Sequence, residues 1–565
     1  MRLKCDLCYN ISSMIADIHI TEKSFGDKTL MKDVKFSVDD GEKVGVVGRN
    51  GVGKSTLFGI LSGKDTDYTG EVIFRRGITI ATTAQEHHGL GDQTVMSYIL
   101  GGLPEYSKLK KIIDEYPLTM GDNMRKIEEY TQALERFDQK GFYQVEEKIE
   151  RELSNFQLDG YGNRRISSLS GGQKRLVEIV KIMHSEAHLA LIDEPTNHMD
   201  YVAKQQFIDW MNSQPHQAML IITHDRDVLG QVDRIVEIKD VQAVSYRGNY
   251  DAYLKQNAQA TTAGMNNFEQ IEKRIVNLKQ KVLDYQRLKE KSRNPGTIQK
   301  FKRLENEARA ELAELSEMEK PTFWIDKESA SQLDYKSAER YGKFKSRHIR
   351  LNMKDASSRS QHVLVRAENV AVGIGERILF EDVNIDLREG EAIEIRGRNG
   401  AGKTTLIRMI LASGKSFDGG PILYSGDIFL DPQVRIGVYE QEIDERYLSD
   451  PLEKAIEKLY MSRDLSISDT KIRQLLADYL FTDADRMTPL ARLSGGQKAR
   501  FQIISMLAND PQLLVLDEPT NHLDLPSIEE LETALAKYSG AILYVSHDNY
   551  FREKLDGKVV QIGAE

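Results

Sequence analysis

Residues 43–55 read KVGVVGRNGVGKS, the pattern of a strand, a glycine-rich turn and the start of a helix. An apolar run typical of a buried strand leads into a glycine-rich turn, and the residues after Lys54 and Ser55 continue as a helix. Glycines let successive backbone N–H groups turn toward a phosphate chain, while the lysine and the hydroxyl can reach the terminal phosphates and Mg²⁺. The stretch therefore predicts an α/β domain that binds a nucleotide through a phosphate loop.

The same ordered set of motifs occurs twice, which indicates a tandem duplication. The second half repeats the phosphate loop as GRNGAGKT over residues 397–404. Each loop is followed by a glutamine, an LSGGQ pentapeptide, an apolar run ending in DEPTNH, and a histidine after another apolar run. In chain order these are Gln85, 169–173, 189–198 and His224 in the first half, and Gln441, 493–497, 513–522 and His547 in the second. The first half carries an extra segment between its glutamine and LSGGQ.

Acidic residues stand at the end of an apolar run in each half. An aspartate at the carboxyl end of a parallel strand lies where α/β sheets bind ligands, and it can hold Mg²⁺. A glutamate follows at once, and its carboxylate can polarise the attacking water. The histidine after the next apolar run is predicted to contact the γ-phosphate. These residues are Asp193, Glu194 and His224 in the first half and Asp517, Glu518 and His547 in the second.

On these motifs the chain resembles ATP-binding-cassette (ABC) proteins with two nucleotide-binding domains in one polypeptide, because LSGGQ is the signature motif of that family. The resemblance implies an α/β fold with two phosphate-loop ATPase domains, each with an α-helical subdomain. It also implies that the protein hydrolyses ATP to ADP and phosphate with Mg²⁺. Each of the two ATP sites then combines the phosphate loop and acidic pair of one domain with the LSGGQ motif of the other.

Carried over residue by residue, the resemblance assigns roles in both sites. The first site has catalytic Glu194 and His224, and its ATP-binding residues are Gly48, Asn50, Gly51, Gly53, Lys54, Ser55, Thr56, Gln85 and Asp193 with Ser494, Gly495, Gly496 and Gln497. The second has catalytic Glu518 and His547, and its ATP-binding residues are Gly397, Asn399, Gly400, Gly402, Lys403, Thr404, Thr405, Gln441 and Asp517 with Ser170, Gly171, Gly172 and Gln173. The Mg²⁺ ligands are Ser55, Gln85 and Asp193, and Thr404, Gln441 and Asp517. Where the family often stacks an aromatic ring on adenine, the first half offers Phe25 and the second Ile374.

Within the family the chain resembles the F subfamily, the ribosome-associated translation factors such as the energy-dependent translational throttle family. The motif EPTNH[ML]D supports this, as does a linker with apolar residues at helical spacing on both sides of SRNPGT at 292–297. The linker is predicted to be an antiparallel helical hairpin. The apolar faces are Ile271, Ile275, Leu278, Val282 and Tyr285 on one helix, and Phe301, Leu304, Ala308, Leu312 and Leu315 on the other.

The motifs and the linker together predict the domain order. A disordered leader spans 1–13, the first ABC domain 14–255, the helical hairpin linker 256–335, a basic connector 336–362 and the second ABC domain 363–565. The extra segment of the first domain lies within about 95–150, where amphipathic helices are predicted. Its position matches the arm with which some members of the subfamily touch the ribosome.

The net charge of −10 hides a basic segment in the middle of the chain. Lysines and arginines outnumber acidic residues strongly between Lys279 and Arg303, around the predicted hairpin turn. A concentration of positive charge on an otherwise acidic protein indicates contact with RNA phosphates. The predicted RNA-binding residues are Arg287, Lys289, Lys291, Arg293, Lys300, Lys302 and Arg303.

The resemblance implies an ATPase that binds the ribosomal E site, with the hairpin tip reaching toward the peptidyl-transferase centre and the P-site tRNA to regulate or rescue translation. One alternative is an antibiotic-resistance protein of the same subfamily, a ribosome protection factor. The short turn at 292–297 favours the translation factor, because drug-displacing members are expected to have longer tips. A transporter ATPase subunit is a weaker alternative, since it has no use for a basic hairpin.

Composition excludes several other classes of protein. No apolar run approaches the roughly 18–20 residues of a membrane span, and no secretory signal precedes Met14, so a cytoplasmic protein is predicted without membrane partners. The cysteines are Cys5 and Cys8, too few for a disulfide framework or an iron–sulfur cluster. Because both ATPase halves lie in one chain, no obligatory homo-oligomer is expected.

Overall fold

The computed structural model describes residues 14–26, 28–83, 92–121, 123–197, 199–317, 324, 326, 341, 362–415, 420–440 and 443–563. The predicted leader with Cys5 and Cys8, most of the connector at 336–362, Gln85 and Gln441 lie outside these residues. Among the described residues, no helix combines the length and the apolar character that crossing a membrane requires.

The first half of the chain alternates strands and helices. Its strands are β1 (Met14–Phe25), β2 (Lys28–Asp39), β3 (Lys43–Gly48), β4 (Thr69–Phe74), β5 (Ile80–Thr82), β6 (Leu189–Asp193), β7 (Ala218–Ile222), β8 (Arg234–Lys239) and β9 (Gln242–Arg247). Its helices are α1 (Lys54–Leu61), α2 (Val95–Leu100), α3 (Tyr106–Thr119), α4 (Met124–Gln139), α5 (Val145–Asn155), α6 (Gly171–His184), α7 (Tyr201–Asn212) and α8 (Arg226–Leu229).

Two long helices follow, and then the second half repeats the pattern. The long helices are α9 (Tyr250–Lys291) and α10 (Pro295–Glu317). The strands of the second half are β10 (Val363–Ile374), β11 (Arg377–Arg388), β12 (Ala392–Arg396), β13 (Ile422–Leu430), β14 (Ile436–Tyr439), β15 (Leu513–Asp517), β16 (Ala541–Val545) and β17 (Lys558–Gln561). Its helices are α11 (Lys403–Leu411), α12 (Glu445–Leu448), α13 (Leu452–Met461), α14 (Asp469–Asp478), α15 (Asp483–Arg486), α16 (Gly495–Leu507), α17 (Leu525–Ala536) and α18 (Asn549–Leu555).

Each half is built on a mainly parallel sheet beside a small antiparallel one. The strand orders are β5-β6-β7-β3-β8-β9 in the first half and β14-β15-β16-β12-β17 in the second. Strands β3, β6 and β7 are parallel neighbours, as are β12, β15 and β16, so their carboxyl ends meet at one edge of each sheet. The antiparallel sheets have the orders β2-β1-β4 and β11-β10-β13. The predicted α/β fold, duplicated in the two halves of the chain, is confirmed.

The central strands are apolar along their whole length because both faces of each parallel sheet are covered. Every residue of β6, β7, β15 and β16 is buried. Strand β6 therefore places the Asp193 carboxylate in a buried position at its carboxyl end, and β15 does the same for Asp517. The sheets thus fix where the acidic residues stand.

The helical subdomain of the first half is larger than that of the second. Between α2 and α5, the helices α3 and α4 pack side by side, and the Tyr116 hydroxyl donates to Glu129 Oε2 at 3.0 Å across the pair. At its base, the rings of Tyr106, Phe137 and Phe142 form an aromatic cluster with centroids 5.2–5.7 Å apart. Within the described residues 443–563, no such pair separates α13 from α14. The extra sequence in the first half is thus an added helical pair.

Residues 251–347 form a separate compact unit that contains the hairpin. Leu278, Val282 and Ala308 are buried between α9 and α10, and the rings of Tyr285 and Phe301 stack with centroids 6.3 Å apart. The predicted apolar faces therefore meet as expected.

The hairpin turn is shorter than SRNPGT suggests, because Pro295 begins α10 and only 292–294 lie between the helices. Proline is compatible with the first helical position, where its missing N–H has no helical partner. Asn294 Oδ1 accepts from the Gly296 N–H at 2.9 Å and satisfies a donor of the first turn. The predicted break between the two helices is present, but it is confined to 292–294 rather than extending over 292–297.

Candidate ATP-binding sites

The two phosphate loops have matching backbone geometry. Gly53 precedes α1 with a φ of 104°, and Gly402 precedes α11 with a φ of 98°, a left-handed conformation that favours glycine. Lys54 Nζ donates to the Gly48 carbonyl at 2.6 Å, and Lys403 Nζ donates to the Gly397 carbonyl at 2.8 Å. Each ammonium therefore lies inside its own loop at the start of a helix, the arrangement that cradles a phosphate chain.

Burial lowers the pKa of Lys54 and of Lys403, and neighbouring carboxylates oppose that effect. For Lys54 the strongest opposing charge is Glu194, and for Lys403 it is Glu518. A polyanion bound in the loop would favour the charged ammonium in the same way. The loops thus hold cations that a phosphate would stabilise.

A hydroxyl and a carboxylate meet beside each loop. Ser55 Oγ donates to Asp193 Oδ2 at 3.3 Å, and Thr404 Oγ1 donates to Asp517 Oδ2 at 2.7 Å. The second oxygen of Asp517, Oδ1, is buried and makes no hydrogen bond. Hydroxyl and carboxylate oxygens are the ligands that Mg²⁺ prefers, so these pairs fit a cation on the β- and γ-phosphates. The predicted ligands Gln85 and Gln441 lie outside the described residues.

Glu194 and Glu518 adopt a backbone conformation that sequence reasoning missed. Their φ angles are 47° and 52°, in the left-handed region that non-glycine residues seldom adopt. The Glu194 N–H donates to the Ile222 carbonyl at 2.7 Å, and the Glu518 N–H donates to the Val545 carbonyl at 3.0 Å. Each neighbouring strand therefore holds its glutamate in this strained position, as occurs at functional sites.

The catalytic candidates share a buried environment in which their proton affinities change. Burial raises the pKa of Glu194 to about 8 and that of Glu518 to about 7. A carboxylate in this range can accept a proton near neutral pH. Burial and the phosphate-loop lysines lower the pKa of His224 and of His547 to about 3, so both imidazoles are neutral. The distance from the histidine Nε2 to glutamate Oε1 is 3.6 Å in the first site and 3.2 Å in the second.

The signature motifs begin helices that face the opposite domain. Ser170 and Ser494 each cap a helix in a reciprocal arrangement with the glutamine three residues later. A Cβ added to Gly496 would lie 2.1 Å from Asn50 Nδ2 in the first phosphate loop, so a larger residue would displace the Asn50 side chain. The first composite site is therefore assembled, with the second domain's signature motif against the first domain's loop.

The second composite site opens into a cavity of about 960 Å³ that also reaches Glu194 and His224 of the first site. Lys403, Thr404 and Glu518 of the second domain line it opposite the signature residues 170–173 of the first. Ile374 also lines this cavity, so the second site has an aliphatic side chain at the position where the family often stacks an aromatic ring on adenine. In the first site, Phe25 is 55% exposed and has the Lys23 ammonium 4.6 Å from its ring centroid. Phe25 thus remains a candidate for adenine stacking.

Comparison with known proteins identifies the fold family. The family model described as ABC transporter matches residues 31–197 and 380–521, which contain both phosphate loops and both acidic pairs. The chain belongs to the ABC family. Its two halves are ABC ATPase domains.

Individual relatives match over nearly the whole chain. It is 29% identical to "ABC transporter F family member 2" of Arabidopsis thaliana, covering 96% of this chain and 75% of that protein. It is 27% identical to "Ribosome protection protein VmlR" of Bacillus subtilis, with coverage of 94% and 83%. It is also 27% identical to "Energy-dependent translational throttle protein EttA" of Mycobacterium tuberculosis, with coverage of 94% and 88%. The expected resemblance to the F subfamily is confirmed.

A solved structure shares the fold across both ABC domains. "RNase-L Inhibitor" superposes with a TM-score of 0.56 at 17% identity, covering 97% of this chain and 88% of that one. At this identity the match supports the fold alone.

Sequence reasoning missed two aspartates that join the ABC domains. Asp524 Oδ2 accepts from the Asn50 N–H at 3.1 Å, and Asp200 Oδ2 accepts from the Asn399 N–H at 3.1 Å. Each aspartate ends an EPTNH[ML]D motif and contacts the phosphate loop of the other domain. The duplicated motif was the available signal, but no local pattern showed which loop these carboxylates would reach.

A buried ion pair also crosses between the ABC domains. Arg226 Nη1 donates to Glu532 Oε1 at 2.9 Å, and both side chains are less than 10% exposed. The pair lies outside the repeated motifs, because Asn549 occupies in the second domain the place of Arg226 in the first. The sequence offered no sign of it.

Removing one member of this pair is expected to destabilise the folded chain. Arg226→Met leaves the Glu532 carboxylate buried without its partner, which typically costs about 3–5 kcal/mol. Arg226→Met with Glu532→Leu removes both charges and is expected to restore much of that loss. Thermal and denaturant unfolding of the unmutated chain, the two single variants and the double variant measures the coupling energy between the two side chains. Additive effects of the two single changes would contradict the contact.

Loss of a phosphate-loop lysine is expected to weaken nucleotide binding. In Lys54→Ala or Lys403→Ala the altered loop loses a charge-assisted contact worth about 1.5–3 kcal/mol, so its ATP affinity should fall roughly 10- to 100-fold. Titration with a fluorescent ATP analogue measures this. Lys64→Ala and Lys415→Ala are matched controls, since both lysines are exposed just beyond α1 and α11. Equal affinities in all four variants would contradict the assignment.

Proposed function

We propose that this ABC ATPase is an F-subfamily translation factor that binds the ribosome while ATP holds its two domains together. ATP hydrolysis then releases it. Support comes from two composite ATP sites within one chain and from a helical hairpin with a basic tip. The observation that carries the proposal is the exposure of positive charge around the turn at 292–294.

Six of the seven predicted RNA-binding side chains are exposed, and Lys289 is half-buried. The exposed ones are Arg287, Lys291, Arg293, Lys300, Lys302 and Arg303. Two of the seven are engaged on the hairpin itself: Lys289 Nζ lies 2.6 Å from Glu305 Oε2, and Arg303 Nε lies 2.8 Å from Glu307 Oε1. The exposed set is available for phosphate contacts, which set the affinity and salt dependence of nucleic-acid binding. Lys289 and Arg303 contribute less, because RNA would have to compete with a carboxylate for each.

In the proposed cycle, hydrolysis at the ATP sites determines when the protein leaves the ribosome. Mg²⁺ held by the Ser55–Asp193 and Thr404–Asp517 pairs would neutralise charge on the phosphates, with Gln85 and Gln441 as further ligands. Lys54 and Lys403 bind and orient the phosphates. Glu194 and Glu518 accept a proton from the attacking water, because their buried carboxylates have raised pKa values.

The names of two relatives point to different roles. EttA is named a translational throttle, and VmlR is named a ribosome protection protein. The three-residue turn between α9 and α10 favours the first role for this chain, acting from the E site on the P-site tRNA and peptidyl-transferase centre. Drug resistance remains the second candidate because of the similarity to VmlR. The proposal places the protein in the cytoplasm, as a single chain without an obligatory partner copy.

Sedimentation through sucrose tests the proposal. The chain should pellet with ribosomes in the presence of a non-hydrolysable ATP analogue and stay in the supernatant with ADP. Excess deacylated tRNA, which fills the E site, should reduce the pelleted fraction. Pelleting that ignores both nucleotide and tRNA would refute the proposed cycle. Relief of a drug-inhibited translation reaction, without effect on an uninhibited one, would favour the resistance role.

A further inference from the structure

Lys204 is a buried lysine that the proposed ATPase cycle leaves unused. It lies on α7 of the first ABC domain and is 5% exposed. Its Nζ lies 2.6 Å from Asp227 Oδ2 and 3.3 Å from Asp225 Oδ2 in the same domain. These two carboxylates hold the Lys204 ammonium in place, so the long lysine side chain is fixed in one position.

The same ammonium reaches into the second ABC domain. Lys204 Nζ donates to the His547 carbonyl at 2.9 Å, and Lys204 also lines the cavity of the second composite site. His547 Nε2 lies 3.2 Å from Glu518 Oε1 in that site. A cation from one domain thus holds the backbone of the histidine that stands beside the catalytic glutamate of the other.

The duplication does not repeat this contact. Aligning EPTNHMDYVAK with EPTNHLDLPSI places Ile528 where the first half has Lys204. An isoleucine side chain has no donor, so it cannot hold the His224 carbonyl in the same way. Consistently, His224 Nε2 lies 3.6 Å from Glu194 Oε1, farther than the 3.2 Å in the second site.

We propose that Lys204 is a positioning residue for the second ATP site: by binding the His547 carbonyl across the closed interface, it fixes that histidine beside Glu518, and the first site lacks this support. The two ATP sites are therefore inequivalent. Hydrolysis at the second site requires contact with the first domain through Lys204 as well as through the signature motif. This inference rests on the ATP hydrolysis of the proposed function and is independent of ribosome binding.

Single-site backgrounds test the inference. In the Glu194→Gln variant only the second site keeps its catalytic glutamate. In the Glu518→Gln variant only the first site keeps it. Lys204→Met is added to each, and hydrolysis of γ-³²P-labelled ATP is followed under single-turnover conditions with protein in excess, which detects slow chemistry. The dependence of the rate on protein concentration separates the maximal rate from the half-saturating concentration. Lys454→Met, at an exposed lysine of α13, is the matched control.

We expect Lys204→Met to lower the maximal rate about 10-fold in the Glu194→Gln background, because a displaced catalytic group loses rate without losing binding. Half-saturation should stay within about 2-fold, as should the rate in the Glu518→Gln background. Equal slowing in both backgrounds, or a change in half-saturation alone, would overturn the inference, since either indicates a general defect in domain closure. So would an unchanged rate in the Glu194→Gln background.

A second variant keeps the test decisive if Lys204→Met alone does not fold. Lys204→Met with Asp227→Asn neutralises a half-buried carboxylate that loses its cation, and the asparagine oxygen can still accept from Asn549 Nδ2, as Asp227 Oδ2 does at 2.8 Å. The His547 carbonyl still lacks its donor in this variant, so the same site-specific slowing is expected. Normal second-site turnover in the double variant would overturn the inference. Absence of hydrolysis by the unmutated chain would instead refute the ATPase activity, and this inference with it.

Discussion

Replacing Glu194 and Glu518 together by glutamine is expected to slow ATP hydrolysis by at least about 100-fold while ATP binding persists. A glutamine amide matches the glutamate in size but cannot accept the proton of the attacking water. The phosphate-loop lysines, the serine or threonine hydroxyls and the interdomain aspartates all remain in place. The double variant should therefore accumulate in the ATP-bound, closed form.

The expected consequence is a protein trapped on the ribosome. Phosphate release measures hydrolysis, filter binding of labelled ATP measures occupancy, and sucrose-gradient sedimentation measures the ribosome-bound fraction. Glu71→Gln with Glu376→Gln, at two exposed positions of the chain, is the matched control and should turn over normally. Normal hydrolysis by Glu194→Gln/Glu518→Gln would show that neither carboxylate acts on the water.

The parts of the site that follow from local sequence were predictable. A phosphate loop is a continuous strand–turn–helix, and the aspartates of β6 and β15 must lie at the carboxyl edge of the sheet because the strands are parallel. The pairing of Ser55 with Asp193 and of Thr404 with Asp517 follows from those two facts. Repetition of the motifs made each prediction firmer.

The contacts that close the two ABC domains on each other were not predictable in the same way. Asp200 meets Asn399 from 199 residues away, Arg226 meets Glu532 from 306, and Lys204 meets His547 from 343. No periodicity or spacing specifies which side chains face each other across an interface between domains. Two of these contacts also break the internal repeat, so comparing the halves would have argued against them.

Backbone conformation was a further feature of the site that the sequence could not predict. The left-handed φ of Glu194 and Glu518 is not a preference of glutamate, and it arises because the neighbouring strand holds each N–H in a hydrogen bond. In the hairpin the predicted break is present, but its bounds did not follow from the sequence. The Asn294 oxygens accept from the N–H groups of Gly296 and Ile298, so α10 begins at Pro295, inside the predicted turn.

Neutralising the hairpin tip is expected to weaken ribosome binding on the order of 100-fold at low salt while ATP binding stays intact. Replacement of Lys291, Arg293, Lys300 and Lys302 by glutamine removes exposed cations within about ten residues of the turn, and the buried contacts of the hairpin are untouched. Each lost phosphate contact releases about one fewer counterion, so the slope of log affinity against log salt should become shallower by about 4. Ribosome binding of the ATP-trapped protein, measured by sedimentation at several salt concentrations, tests this.

The control variant tests whether ribosome binding depends on the position of the positive charge or only on its amount. Lys255, Lys273, Lys279 and Lys281 are exposed on α9 and lie farther from the turn, so replacing them by glutamine changes the net charge equally. This variant should keep most of its affinity and its salt slope if the tip enters RNA. Equal losses in both variants would mean that ribosomes respond to net charge alone. Unchanged binding in the tip variant would mean that the hairpin is a solvated spacer, and ribosome association would then have to come from another surface of the ABC domains.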